Sequence, residues 1–182
     1  MKKLGLIVAV AAFAAMTLTG LASAQNIGVG LLWEGSGITP DMVLPIKLGE
    51  DMVIQPVVGF DAVKDVKTEF RFGASFEKHL NTDPTTGLFG AKIYADFTSP
   101  SKPSSSAIPE DKSYLDLTFT VFLGATAKLA DNVSLVGQWG PYLTAVGERK
   151  ESLHGVETVT AKSTTLIGSA ASLTLRWWIF GK

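Results

Sequence analysis

Beyond residue 24, hydrophobic and polar positions alternate in block after block, and no segment with a helical period stands out. Alternation over several residues marks a β-strand whose two faces meet unlike surroundings. About eight blocks show it, the strand number of the smallest closed transmembrane barrels. Asn26–Trp33 sets Ile27, Val29, Leu31 and Trp33 against Asn26, Gly28 and Gly30, and Met42–Leu48 sets Met42, Leu44, Ile46 and Leu48 against Val43, Pro45 and Lys47. Met52–Ala62 and Thr68–Lys78 follow, the latter placing Phe70, Phe72, Ala74 and Phe76 opposite Glu69, Arg71, Gly73, Ser75 and Glu77. The fifth block, Phe89–Thr98, opposes Ile93 and Phe97 to Lys92, Tyr94 and Asp96. In the sixth, Leu115–Thr126, Leu117, Phe119, Val121 and Leu123 alternate with Asp116, Thr118, Thr120 and Phe122. Val133–Thr144 and Thr164–Phe180 complete the set, the last with Leu173, Leu175 and Trp177 opposite Ser172, Thr174 and Arg176. Several blocks reach the roughly 9–11 residues that a tilted strand needs to cross a bilayer.

Alternation alone leaves the inward face open, because a soluble barrel hides its apolar face while a membrane barrel turns that face to lipid. Three features favour lipid. The polar face is rich in small residues, among them Gly28, Gly30, Gly73, Gly90, Gly124 and Gly140, which suit a crowded lumen better than a solvated surface. The apolar face carries no charge within the strands. The connections also alternate in length. Gly49-Glu50-Asp51, His79–Gly87 and Ala130-Asp131-Asn132 are short, whereas Glu34–Asp41, Val63–Lys67, Ser99–Ser113 and Gly147–Lys162 are mostly longer and read as solvated loops. Short turns at one rim and long loops at the other is the outer-membrane arrangement. Laid antiparallel, the strands also collect Trp33, Phe60, Phe70 and Phe97 near the loop rim and Phe76, Phe89 and Trp177 near the turn rim, as two interfacial girdles would.

The start of the chain fits an exported protein. Lys2 and Lys3 lead into the apolar run Leu4–Leu18, and Ala22-Ser23-Ala24 precedes Gln25, the order of a secretory signal peptide. Residues 1–24 are therefore expected to be a cleaved helical signal peptide and residues 25–182 one barrel domain. Removing two lysines and no acid takes the formal charge from −1 to −3. So mild an acidity argues against a nucleic-acid partner, which would want a basic patch. The chain has no cysteine, so neither a disulfide framework nor a thioether lipid anchor is available.

With strands, rims and export signal in place, the chain resembles the small eight-stranded outer-membrane barrels, the group that includes the OmpA transmembrane domain and OmpX. Its closing stretch Leu173-Thr174-Leu175-Arg176-Trp177-Trp178-Ile179-Phe180 is similar to the C-terminal signal that such proteins present to the barrel-assembly machinery, although Gly181 and Lys182 follow the final aromatic. The resemblance implies an all-β, antiparallel up-and-down transmembrane barrel in the outer membrane of a Gram-negative-type bacterium. It also implies a monomer in contact with outer-membrane lipid, a structural role, and surface loops available for adhesion or ligand contact.

If the polar face lines the lumen, Lys47, Glu69, Arg71, Glu77, Lys92, Asp96, Asp116 and Arg176 are buried charges that must pair. Asp96 and Asp116 are expected to lie close, with Arg71 as the cation between them, and Lys47, Glu77, Lys92 and Arg176 to gather nearer the turn rim. A gated ion path is the functional reading of this set. A satisfied core that fixes barrel shape is the favoured one, because eight strands enclose an interior just wide enough for side chains. Pro45, Pro56 and Pro141 each remove a ladder donor, so bulges or strand ends are expected beside them.

Nothing predicts catalysis or a cofactor. There are two histidines and no cluster with metal-ligand spacing. His154 lies near Ser152, Glu151 and Glu157, the residue types of a hydrolytic triad, as a charged loop readily brings about by chance. The alternatives to a structural barrel are thus a lipid-modifying hydrolase using His154 and Ser152, and a secreted lipocalin-like barrel holding a small apolar ligand.

Overall fold

The computed structural model describes residues 24–34, 39–63, 67–81, 85–100, 113–147, 149–153, 156–160 and 165–180. Among them run β1 (Ala24–Glu34), β2 (Asp41–Val43), β3 (Ile46–Leu48), β4 (Met52–Val63), β5 (Lys67–His79), β6 (Thr85–Pro100), β7 (Tyr114–Ala130), β8 (Val133–Ala145), β9 (Arg149–Leu153), β10 (Val156–Thr160) and β11 (Thr165–Phe180). Each of the long strands pairs antiparallel with the next in sequence, from β4 through β8 and on to β11. Pairing of β1 with β11, Leu31 opposite Leu175, closes the sheet on itself. Because β2 and β3 lie end to end between β1 and β4, the closed sheet is an eight-stranded barrel. Closure leaves no free edge to attract another strand.

The prolines interrupt hydrogen bonds without moving the register. Val43 lies opposite Val57 and Ile46 opposite Ile54, so β2 and β3 keep one register across Leu44-Pro45. The Leu44 amide donates to the Pro56 carbonyl at 3.0 Å, and the Pro45 carbonyl accepts from the Gly28 amide at 2.9 Å. Only the donor that proline lacks is lost. Pro45 thus ends a strand as expected, but Pro56 lies within β4 and Pro141 within β8, and β7 and β8 keep one register from Thr120–Tyr142 to Leu123–Trp139. The bulges occur instead between Ala24 and Asn26, Ile27 and Gly28, and Lys128 and Ala130, at the turn rim, where a barrel tolerates them.

Two further differences concern extent. The stretch Gly147–Lys162, read from its charges as a solvated loop, carries the hairpin β9–β10, in which Val156 faces Leu153 and Thr160 faces Arg149. The β-branched residues Val156, Thr158, Val159 and Thr160 favour that extended form. At the other rim, β6 begins at Thr85, inside the stretch assigned to a turn, and β7 runs on to Ala130. The expected signal peptide lies outside the described residues up to residue 23. Ala24, its expected last residue, already pairs with Leu48.

Burial is inverted relative to a soluble domain. Ile93, Phe97, Leu117, Phe119, Val121, Leu123, Trp139 and Ile167 are exposed on the outside, while Gln55, Glu77, Lys92, Thr120, Gln138, Thr174 and Arg176 are buried inside. Phe60, Phe70 and Phe97 stand directly opposite one another across β4, β5 and β6, which forms part of one aromatic girdle. The inner glycines are explained by their neighbours. Gly73 faces Tyr94, Gly90 faces Phe122 and Gly168 faces Tyr142, and a Cβ on each glycine would fall within 2.4 to 2.6 Å of the facing aromatic ring or hydroxyl. The lumen is narrow enough that each large ring needs a bare backbone beside it.

Candidate functional site

The candidate site is the polar interior. Toward the loop rim, Arg71 of β5 is its centre: Nε donates to Asp96 Oδ1 of β6 at 2.5 Å, and Nη1 reaches Asp41 Oδ2 of β2 at 3.1 Å and Glu34 Oε2 of β1 at 3.4 Å. Lys92 of β6 holds the other Glu34 oxygen and donates to Ser172 Oγ of β11 at 3.2 Å. Tyr94 lies buried between the two cations, its ring centre 5.3 Å from the Arg71 guanidinium carbon and 5.5 Å from Lys92 Nζ. A ring face so placed attracts both charges.

The polar contacts continue toward the turn rim. Ser172 Oγ donates to Gln138 Oε1 of β8 at 3.1 Å, and Gln138 Nε2 donates to Glu77 Oε1 of β5 at 2.7 Å. Arg176 of β11 donates to that same Glu77 oxygen, and through Nε to Gln55 Oε1 of β4 at 2.9 Å. The Arg176 and Glu77 side chains are 1% and 0% exposed, against 32% and 25% for Arg71 and Asp96. A single connected network therefore runs from Asp96 to Gln55 and ties β1, β2, β4, β5, β6, β8 and β11 together.

The expected lumen charges fall into different surroundings. Arg71 contacts Asp96, whereas Asp116, opposite Asp96 in register, accepts from the Gly147 amide at 2.7 Å. Arg71 and a backbone donor thus each answer one of two carboxylates that would otherwise repel. Glu77 and Arg176 meet, but Lys92 joins them only through Ser172 and Gln138, and its ionic partner is Glu34. Glu69 accepts from Thr98 Oγ1 at 3.4 Å, and Lys47 is half-buried opposite Asn26 and Val53.

From sequence, Glu34 and Asp41 fall in a stretch read as a loop, and Gln55 and Gln138 fall on the polar face with no pairing role assigned to them. Their parity signalled them. Glu34 lies two positions beyond the inward Leu32, and Asp41 two before the inward Val43, so alternation carried slightly past the last apolar residue reaches both. Above this layer is a cavity of about 230 Å³ lined by Leu32, Glu34, Asp41, Gly59, Arg71 and Asp96 among others.

Ser75, Glu77 and His79 share the inner face of β5, but Ser75 Oγ has no hydrogen-bond partner, so no base activates it. His79 Nε2 stands 3.7 Å from Glu77 Oε2. Among the described residues no group of His, Cys, Asp and Glu is disposed to hold a metal ion, and no helix is long and apolar enough to cross a membrane. His154 lies outside the described residues.

No family model matches the chain, and no curated protein matches it. Among solved structures it is similar to the crystal structure of Neisserial surface protein A, at 14% identity over 84% of this chain and 94% of that one, with a TM-score of 0.49.

Proposed function

We propose that the protein is a structural barrel of a bacterial outer membrane, closed by its own side chains, with the loops at its loop rim as the surface it offers to the outside. The observation that carries this reading is the inverted burial: large apolar side chains exposed around the outside and a hydrogen-bonded charge network inside. In water such a belt would be an aggregation liability, and in lipid it is the solvated face. An interior filled by paired side chains favours a scaffold over a wide pore.

The test is cell fractionation followed by reconstitution. Mature protein is expected in the detergent-extracted outer membrane, with gel mobility that shifts on heating. Purified protein in a planar bilayer is expected to give no porin-sized conductance. Recovery of most of the chain as a soluble periplasmic monomer overturns the membrane reading, and a steady large conductance overturns the closed lumen. Loop contact with another cell or a ligand is read separately, by whether loop-exchanged variants lose binding while folding normally.

A further inference from the structure

We propose that the mature chain begins with pyroglutamate at position 25, formed from Gln25 after signal cleavage; this rests on cleavage after Ala24. Two independent observations meet at this residue. The sequence places glutamine immediately behind Ala22-Ser23-Ala24, so cleavage there exposes a glutamine α-amine. In the structure Gln25 has no register partner on either side: β1 pairs with β3 through Asn26–Lys47 and Ile27–Ile46 but not through Gln25, and its pairing with β11 begins at Ile27. Its new terminus is thus free to fold back on its own side chain without breaking a pair that the barrel uses.

The chemistry is self-contained. The α-amine nitrogen attacks the side-chain carboxamide carbon, a five-membered lactam forms, the bond from that carbon to the amide nitrogen breaks, and ammonia leaves with one proton from the amine. No oxidant or co-reactant is needed. The product carries no charge, so the chain starts without an ammonium group at a rim where strands enter the apolar belt. It also blocks aminopeptidases. The residues behind it are worth protecting, because Asn26 pairs with Lys47, and Ile27 pairs with both Ile46 and Phe180, where β1 closes the barrel.

The experiment is intact-mass measurement and N-terminal sequencing of protein extracted cold and quickly from membranes. The expected mass is that of residues 25–182 less one ammonia, with sequencing blocked until a pyroglutamate-specific aminopeptidase is added. Gln25→Ala is expected to give an unblocked terminus and the full mass. A free amine on Gln25 overturns the lactam and leaves the signal-peptide reading intact. A chain that starts at any other residue overturns both.

Discussion

Arg176 and Glu77 are the most deeply buried ion pair among the described residues, with side chains 1% and 0% exposed. Removing one partner strands the other charge away from water, which costs about 3–5 kcal/mol, whereas replacing both by apolar groups of similar size can be nearly neutral. Arg176→Met is therefore expected to lower the denaturant midpoint in detergent by an amount in that range, and adding Glu77→Gln to restore part of it. Arg71→Ala should cost less, because its guanidinium is about a third exposed and its charge can still reach solvent. Equal losses at both sites would show that solvent reaches both halves of the lumen alike. Steric demands act at the same scale. Gly73→Val would drive a side chain into Tyr94 and is expected to impair folding in detergent-refolding assays, whereas Gly49→Asn, at a positive-φ turn with open space around it, should be tolerated. The turn carboxylates titrate differently from free ones. A hydrogen bond from Lys78 holds Asp51 below the usual carboxylate range, and one from Lys128 does the same for Asp131. A depressed carboxyl contributes above its unfolded pKa and loses the contribution as pH falls through the folded one. Lys78→Met should return the Asp51 titration, followed by NMR, toward its ordinary range.

At the scale of the strand, the two faces impose opposite rules on the same substitution. Val121 stands mid-strand on the outer face of β7, so Val121→Arg is expected to cost about 2–4 kcal/mol and to hinder insertion. Glu50→Arg in the exposed β3–β4 turn should leave insertion and stability close to those of the parent, as at an ordinary surface site. Urea titration in lipid vesicles reads both, and equal tolerance would mean that the faces are assigned wrongly. The strands were legible in the sequence because a period of two needs only the neighbouring residues to express it. Their ends were less so. Thr85, Thr86 and Gly87 look like turn residues, yet they join β6 because β7 runs long enough to pair with them. The prolines misled in the other direction: one missing donor does not force a bulge when the neighbouring amide and carbonyl keep their partners.

For the whole molecule, closure is the property that matters most. The seam between β1 and β11 joins the two ends of the described chain, with Trp33 opposite Leu173 and Gly30 opposite Arg176. Trp178 at the end of that seam is held twice, its amide donating to the Asn132 carbonyl at 2.8 Å and its indole to Ser134 Oγ at 3.3 Å. Truncation before Trp177 is expected to abolish the heat-modifiable folded form, since it removes pairs with both β1 and β8 at once. A truncated chain that still folded and shifted on heating would show that the seam is dispensable.

What the sequence determined by itself was what depends on neighbours along the chain: the eight strands of the barrel and the face on which a strand residue lies. The polar parity of Arg71, Glu77, Lys92 and Arg176 belongs to this class. Arg71 and Asp96 are register neighbours on consecutive strands, so strand order already brings them together, but which charges meet across the lumen was settled only by the tertiary structure. Lys92 meets Glu34, 58 positions away, and Arg176 meets Glu77, 99 positions away, across a lumen whose width and stagger are set by all the strands together. Parity fixes a side chain's face but not its height or its partner across the barrel. Those follow from strand tilt and stagger, which exist only once the sheet has closed.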